Sequence, residues 1–397
     1  MAESEQPWIN VVNKMLESGT IPVQITAAHI EMIKFFVSEE QAQFINKTYS
    51  DKLFLSIDEI KARTILEDAF LNKTLNDLMY NGILRGLPNE ITGMMEYEVV
   101  EFYPGFLEYT LIRGESGEKP KKVANLWMRI ENETKQRVQG SYDQIVAALK
   151  ESPPPALSRV IPIEATIEPE EVVLASEDVS KVLEDTDAIG VGVCYCRHKK
   201  DLVGEPCKST KLRHNCLFLV RTAQFAISQG FVKPISLEDA KKIVKKSAED
   251  GLLHKTFYSK SDLNREIEAL CNCCSCCCGE ISRYHRGVAP ITSLASYMAR
   301  IDKDRCIGCG ICEDECPVNA IQVDNEKALV NEALCIGCGI CVYNCPQETI
   351  HYIWNEQVSV RWLHHRQDLI CSKRGIFLWC LPGISPIYYS RNRERST

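Results

Sequence analysis

Apolar and polar residues alternate in blocks that predict several short helices and a hairpin in the first part of the chain. Ser56 and Glu59 form a capping-box pattern, Ser-x-x-Glu, that should open a short helix running through Arg63. Leu71, Leu75 and Leu78 then share one face of a second helix, with Gly82 at its end. Ile83 and Leu84 lead toward a strand expected near Tyr97 to Phe102. Helix, turn, helix, hairpin is the order of a winged helix, and a winged-helix-like domain is expected over 24–115. Farther on, Ser236 and Asp239 mark another helix start. Ala240, Ile243, Val244 and Ala248 share a face of that helix, and Gly251 stops it.

Between these blocks the chain punctuates itself. A polar stretch with Lys119, Lys121 and Lys122, ending at the Ser152-Pro153-Pro154-Pro155 breaker, reads as a linker over 116–156. The middle domain then occupies 157–290 and is expected to be mainly helical. A compact module follows at 297–357, and the last residues, 358–397, form a basic and aromatic tail with isolated Cys371 and Cys380. The expected class is therefore α+β and multidomain, as a length of 397 residues suggests. The longest apolar stretch, GIFLWCLPGI in the tail, falls short of the roughly 18 apolar residues that a membrane helix needs. The N-terminal residues lack the basic-then-apolar pattern of a signal peptide. A cytoplasmic protein is expected.

Cysteine changes the picture most, with 20 in the chain. Many are one to three residues apart, too close for separate structural disulfides, which points to reduced thiolates holding metal. Cys306, Cys309, Cys312 and Cys316-Pro317 recur 29 residues later as Cys335, Cys338, Cys341 and Cys345-Pro346. Each copy is C-x2-C-x2-C-x3-C-P, the run that binds [4Fe–4S] clusters in bacterial two-cluster ferredoxins, so two such clusters and a βαββαβ fold are expected. Three closely spaced thiolates wrap one cube, helped by Gly308, Gly310, Gly337 and Gly339, while the fourth serves the other. This gives Cys306, Cys309, Cys312 and Cys345 to one cluster, and Cys335, Cys338, Cys341 and Cys316 to the second. Ile311 and Ile340 are expected to shield the cubes. Zinc sites also use C-x2-C pairs, but not four ligands per run, twice, with trailing prolines.

A second constellation lies in the middle domain: Cys194, Cys196, Cys207 and Cys216, then Cys271, Cys273, Cys274, Cys276, Cys277 and Cys278 in CNCCSCCC. All ten are candidate metal ligands, for one or two further iron–sulfur clusters. Cys194, Cys196, Cys207 and Cys216 form one candidate site and a subset of the later block another. Neighbouring side chains such as Cys273 and Cys274 tend to diverge, so they should serve different centres, or one should remain a reactive thiol. His198, His214 and His254 lie nearby, more readily structural than ligating.

Charge bears on partners. The chain has a formal net charge of -8. Residues 24–115 carry 15 acidic and 8 basic side chains, and the second helix has only Lys73 as a base, which argues against DNA readout. Docking or homo-oligomerisation through that domain suits it better. Residues 301–357 carry 10 acidic and 3 basic side chains, whereas 190–290 carry 17 basic and 10 acidic. The acidic module suits a basic redox partner. Cationic neighbours such as Arg197, Lys199, Lys200, Lys208, Lys211 and Arg213 would raise the potential of an anionic cluster.

With these motifs in place, the chain over about 30–355 resembles a family of 4Fe–4S ferredoxin-type proteins of anaerobic bacteria and archaea. These combine a winged-helix-like region, a C-x-C-R motif, a C-N-C-C-x-C-C-C block and a two-cluster ferredoxin domain. The resemblance implies cluster binding and redox work, and no particular substrate. Three functions are consistent with it: electron relay to a redox partner protein, an iron–sulfur oxidoreductase acting at the middle domain, or a redox-sensing winged-helix regulator. Neither G-x-G-x-x-G after a strand nor a P-loop motif is present.

Overall fold

A computed structural model describes residues 3–17, 24–140, 158–163, 178–258, 267–285, 292–293 and 295–354. The expectations for the tail at 358–397, including Cys371 and Cys380, lie outside the described residues. Among those residues no helix is long and apolar enough to cross a membrane.

The N-terminal part contains α1 (Gln6–Glu17), α2 (Ala27–Lys34), α3 (Glu39–Thr48), β1 (Phe54–Ser56), α4 (Ile57–Arg63), α5 (Asp68–Tyr80), β2 (Leu84–Pro88) and β3 (Met95–Val99). Local chemistry explains the starts. The Ser56 side chain accepts the Glu59 N–H while the Glu59 carboxylate accepts the Ser56 N–H, closing the predicted capping box. Leu71, Leu75 and Leu78 are buried along α5. The strands pair antiparallel in the order β1-β3-β2. β3 ends at Val99, earlier than expected, because the chain turns sharply through Phe102–Phe106 before α6 (Leu107–Leu111).

The stretch read as a linker requires a correction. It contains α7 (Glu118–Gly140), a 23-residue helix. Val123, Leu126, Trp127 and Ile130 recur at helical spacing and are buried in the N-terminal core, where Phe102, Tyr103 and Phe106 ring Trp127. The lysines that suggested a linker occupy its first turns, where Lys122 lies over the Phe35 ring.

The middle domain is not mainly helical. A seven-stranded sheet organises it: β4 (Ser158–Ile161), β5 (Ile189–Val193), β6 (His214–Leu219), β7 (Lys233–Pro234), β8 (Leu253–Tyr258), β9 (Ile267–Cys273) and β10 (Thr292–Ser293), in the order β10-β4-β8-β9-β6-β5-β7. All neighbours are antiparallel except the β10–β4 pair. Helices α8 (Val179–Glu184), α9 (Tyr195–Leu202), α10 (Val220–Ser228), α11 (Leu237–Glu249) and α12 (Gly279–His285) surround it. The helix over 237–249 is capped by Ser236 as predicted. The strands escaped sequence reading because short runs buried on both faces, such as Ile189–Val193, lack the alternation that marks a half-exposed strand. Gly190 and Gly192 leave room on β5 for Val232 and Ile112. Through that contact the N-terminal and middle domains share one core, with Tyr109 stacked against Phe231 at 4.4 Å.

The last module runs β11 (Tyr297–Ile301), α13 (Ile311–Asp314), β12 (Ile321–Asp324), β13 (Lys327–Val330), α14 (Ile340–Tyr343) and β14 (Ile350–Trp354). β11 pairs with β14 and β12 with β13, both antiparallel.

Candidate metal centres

Two thiol sets form in the last module. Cys306, Cys309, Cys312 and Cys345 line one cavity with Ile307, Ala328 and Thr349. Cys316, from the first run, lies instead beside the second: it acts with Cys335 on the Cys338 and Cys341 thiols, which burial first pushes up. The backbone makes this exchange. After each run the chain turns so that a backbone N–H four residues on donates to the fourth sulfur: Ala320 to Cys316 at 3.1 Å, Thr349 to Cys345 at 3.4 Å. Against burial, which pushes it up, the Thr349 hydroxyl and the backbone N–H groups of Thr349, Gln347 and Ile350 hold Cys345 below the ordinary thiol value. Gly308 and Gly337 take positive φ of 62 and 73, and a Cβ would run into the Glu326 and Tyr297 carbonyls. The donor set and cradle fit thiolate-ligated clusters.

The two sets differ in exposure. Cys309 is exposed, and Ile307 and Ile311 beside it are partly open to solvent. Cys335, Cys338 and Cys341 are buried with Ile340, and with Cys312 of the first set, in an apolar cluster that also contains Cys273 and Cys278 of the middle domain. Ile340 is buried in that cluster, whereas Ile311 is more exposed and lines the cavity of the first set. The Ile163 N–H donates to the Cys338 carbonyl across the same boundary.

The ten middle-domain cysteines separate into six and four, not into the sets that chain order suggested. Cys216 on β6 lies directly opposite Cys271 on β9, and Cys273 falls on the same face two residues later. Cys194 ends the loop after β5 at the start of α9, Cys196 lies in its first turn, and Cys278 precedes α12. These six line one pocket with Arg197, Lys255, Glu280 and Asn272, and Cys274 of the other group reaches its wall as well. Mutual interaction among these thiols adds to burial in raising Cys196, Cys271 and Cys273 well above the ordinary thiol value. Burial pushes the Cys194 thiol up to about 12, so these sulfurs carry protons unless a metal displaces them.

Cys207 leaves its expected companions and meets Cys274, Cys276 and Cys277, all four sulfurs lying within 4.8 Å of one another. Cys274 belongs to this group and also lines the pocket beside Cys273, so the two neighbours are not cleanly separated. Cys276 and Cys277 do not diverge, because they occupy a tight turn. Hydrogen bonding from Cys277, and then the charge of Arg197, pull Cys274 below the ordinary thiol value.

One cation that the sequence motifs did not mark, Lys255, lines the six-thiol pocket, and Lys199, anticipated as a neighbouring charge, lies outside its wall. Lys255 is wholly buried on β8, 3.9 Å from Glu280, and its Nζ has no hydrogen-bond partner. Lys199 is buried against Glu131 of α7. A lysine amid the buried run Leu253 to Thr256 is the signal that would have marked Lys255. Arg197, anticipated only as a neighbouring charge, is buried and donates to the Asn272 carbonyl and the Asn215 side chain. His254 bonds Asn272 at 2.6 Å, His198 meets the Glu115 carbonyl and His214 is exposed, so none of the three lines the pocket. An open groove between middle domain and ferredoxin-like module is lined by Cys207, Lys208, Thr210, Asp250, Glu315 and Asn344.

Thiol sets on this fold define a protein with an iron–sulfur dicluster domain, and residues 296–353 match the 4Fe-4S dicluster domain family. Among similar proteins, a ferredoxin of Acetoanaerobium sticklandii is 51% identical over 36 residues, 9% of this chain and 64% of that protein. Pyruvate synthase subunit PorD of Methanothermobacter marburgensis is 63% identical over 27 residues, 7% of this chain and 33% of that protein. Ferredoxin-2 of Desulfomicrobium norvegicum is 49% identical over 33 residues, 8% and 56% respectively. The chain spans less than two thirds of the length of each.

Proposed function

We propose that this protein is an electron relay: two [4Fe–4S] clusters in the ferredoxin-like module, a further iron–sulfur centre in the six-thiol pocket, and a redox partner protein at the exposed end. When bound, clusters of this kind take up and release single electrons. Cys306, Cys309, Cys312 and Cys345 would hold the outer cluster, and Cys335, Cys338, Cys341 and Cys316 the inner one. The observation that carries the reading is the gradient of exposure. Cys309 opens to solvent, whereas Cys335, Cys338 and Cys341 are buried in the apolar cluster that reaches Cys273 and Cys278. The thiols thus lead from an acidic surface inward to the middle domain.

The chain's own groups support an anionic centre in the pocket. Lys255 brings a buried positive charge with no hydrogen-bond acceptor, which favours an anion close by. Arg197 stays charged despite burial because Cys194 and Cys274 face it. Cys196, Cys216, Cys273 and Cys278 are buried, which would shield a reduced centre there from water and oxygen. DNA recognition is less well supported, since the one base of α5, Lys73, pairs with Asp77 at 2.9 Å. Docking to a protein partner suits that domain better.

Iron and acid-labile sulfide in the anaerobically purified full chain test the proposal. Three clusters require about twelve irons, against about eight for the ferredoxin-like module alone. Replacing Cys194 and Cys196 together with Ala should lower iron toward the smaller figure and leave the ferredoxin-type signals intact. Unchanged iron in that variant would remove the pocket from the relay.

A further inference from the structure

We propose that Cys207, Cys274, Cys276 and Cys277 bind a single zinc ion at the edge of the six-thiol pocket, whose wall Cys274 also forms. Spacing carries the assignment. Cys207 Sγ lies 3.7 Å from Cys274 Sγ and 3.6 Å from Cys276 Sγ, and Cys276 Sγ lies 3.6 Å from Cys277 Sγ. Four thiolates about 2.3 Å from one tetrahedral ion are about 3.8 Å apart, because a tetrahedron's edge is about 1.63 times its centre-to-corner distance. A four-iron cube places each thiolate on a different iron and must spread them wider. The same structure supplies the contrast: among the described residues, no other set of three or more His, Cys, Asp or Glu side chains has its ligand atoms all within 4.8 Å. The eight thiols of the ferredoxin-like module do not meet that distance.

The surroundings suit a fixed ion. Ser209 Oγ lies 3.4 Å from Cys276 Sγ, within reach to orient it. Thr210 anchors the Cys207 loop by donating to Asp250. Four protein thiolates leave no open position, which marks a structural rather than a catalytic zinc site. The ion would join the loop after α9 to the turn after β9, 67 residues apart between Cys207 and Cys274. Cys274, Cys276 and Cys277 lie between Cys273 and Cys278 in the chain, so the ion would close the turn that links β9 to α12. Zinc has no accessible second redox state, and it would keep four crowded thiols from oxidising to disulfides.

Metal analysis of the anaerobically purified full chain, with Cys276→Ser and Cys309→Ser variants, tests this. The expected result is one zinc per chain, lost in Cys276→Ser while iron and sulfide are retained. Cys309→Ser should keep the zinc and lower iron. Cys276→His, which preserves a zinc donor, should recover the ion and carries the test if the serine variant fails to fold. Exchange with cobalt(II) should produce the absorption of tetrahedral thiolate cobalt in wild type and not in Cys276→Ser. Loss of iron and sulfide in Cys276→Ser, or absence of zinc from wild type, overturns the proposal. A single iron at these thiols in place of zinc overturns it as well.

Discussion

Lys255→Met is the sharpest probe of the buried pocket. Burial alone would drive Lys255 to lose its proton, yet Glu280 and then the Cys278, Cys273 and Cys271 sulfurs hold it above the ordinary lysine value. Its Nζ also lies 4.7 Å from the Phe257 ring centre, a further site for positive charge. Opposite charges act strongly over about 4–6 Å. At 6 Å and an effective dielectric constant of about 20, one charge is worth about 3 kcal/mol. That corresponds to a potential change on the order of 100 mV for a one-electron couple, at about 59 mV per tenfold. Methionine keeps the volume and removes the charge, so the reduced and more anionic form of a pocket centre should be disfavoured. The assay is a potentiometric titration of the full chain followed by electron paramagnetic resonance, with the ferredoxin-type signals as internal reference. The pocket centre should shift downward on the order of 100 mV while the reference signals stay in place. Lys255→Arg should return most of the shift. A change below about 20 mV, or equal changes in all centres, would refute a local charge effect at the pocket.

Cys316→Ala should remove the cluster proposed for Cys335, Cys338 and Cys341 and spare the one at Cys306, Cys309 and Cys312. Metal content with electron paramagnetic resonance checks this, and loss confined to the outer cluster would refute the exchange of fourth ligands. His29 predicts an acid sensitivity in the N-terminal core. It is buried beside Phe102, ring centres 5.0 Å apart, and burial followed by Arg137 lowers its pKa from 6.5 to about 4. The unfolded chain binds the proton first, so His29's contribution is complete above pH 6.5 and falls as pH drops toward 4, by up to roughly 3 kcal/mol. Denaturant unfolding followed by tryptophan fluorescence should show this slope in wild type, and a flatter one in His29→Gln.

Local chemistry was the most legible layer. The caps at Ser56 and Ser236 depend on partners three residues away, so sequence proximity almost dictated them. The spacing of Val123, Leu126, Trp127 and Ile130 was also visible, but the lysines around 119–122 masked a helix whose stability comes from the aromatic core it enters. The middle sheet was illegible for another reason. Its strands are short, and their apolar runs are covered on both faces, which leaves no period to distinguish strand from helix.

The repeated cysteine runs determined by themselves that this chain carries a thiolate-rich ferredoxin-like module, because consecutive ligands on a tight glycine-containing loop need no distant partner. They did not determine how the middle cysteines combine. Cys216 meets Cys271 only because β6 and β9 pair in one register, and a one-residue slip would turn one of them to the other face. Cys207 joins Cys274, Cys276 and Cys277 only because the loop after α9 folds over the turn after β9. Lys255 becomes a buried charge only when β8 enters the sheet interior. Spacing along the chain decides ligands within a turn of one another, whereas register and packing decide those that arrive from different strands.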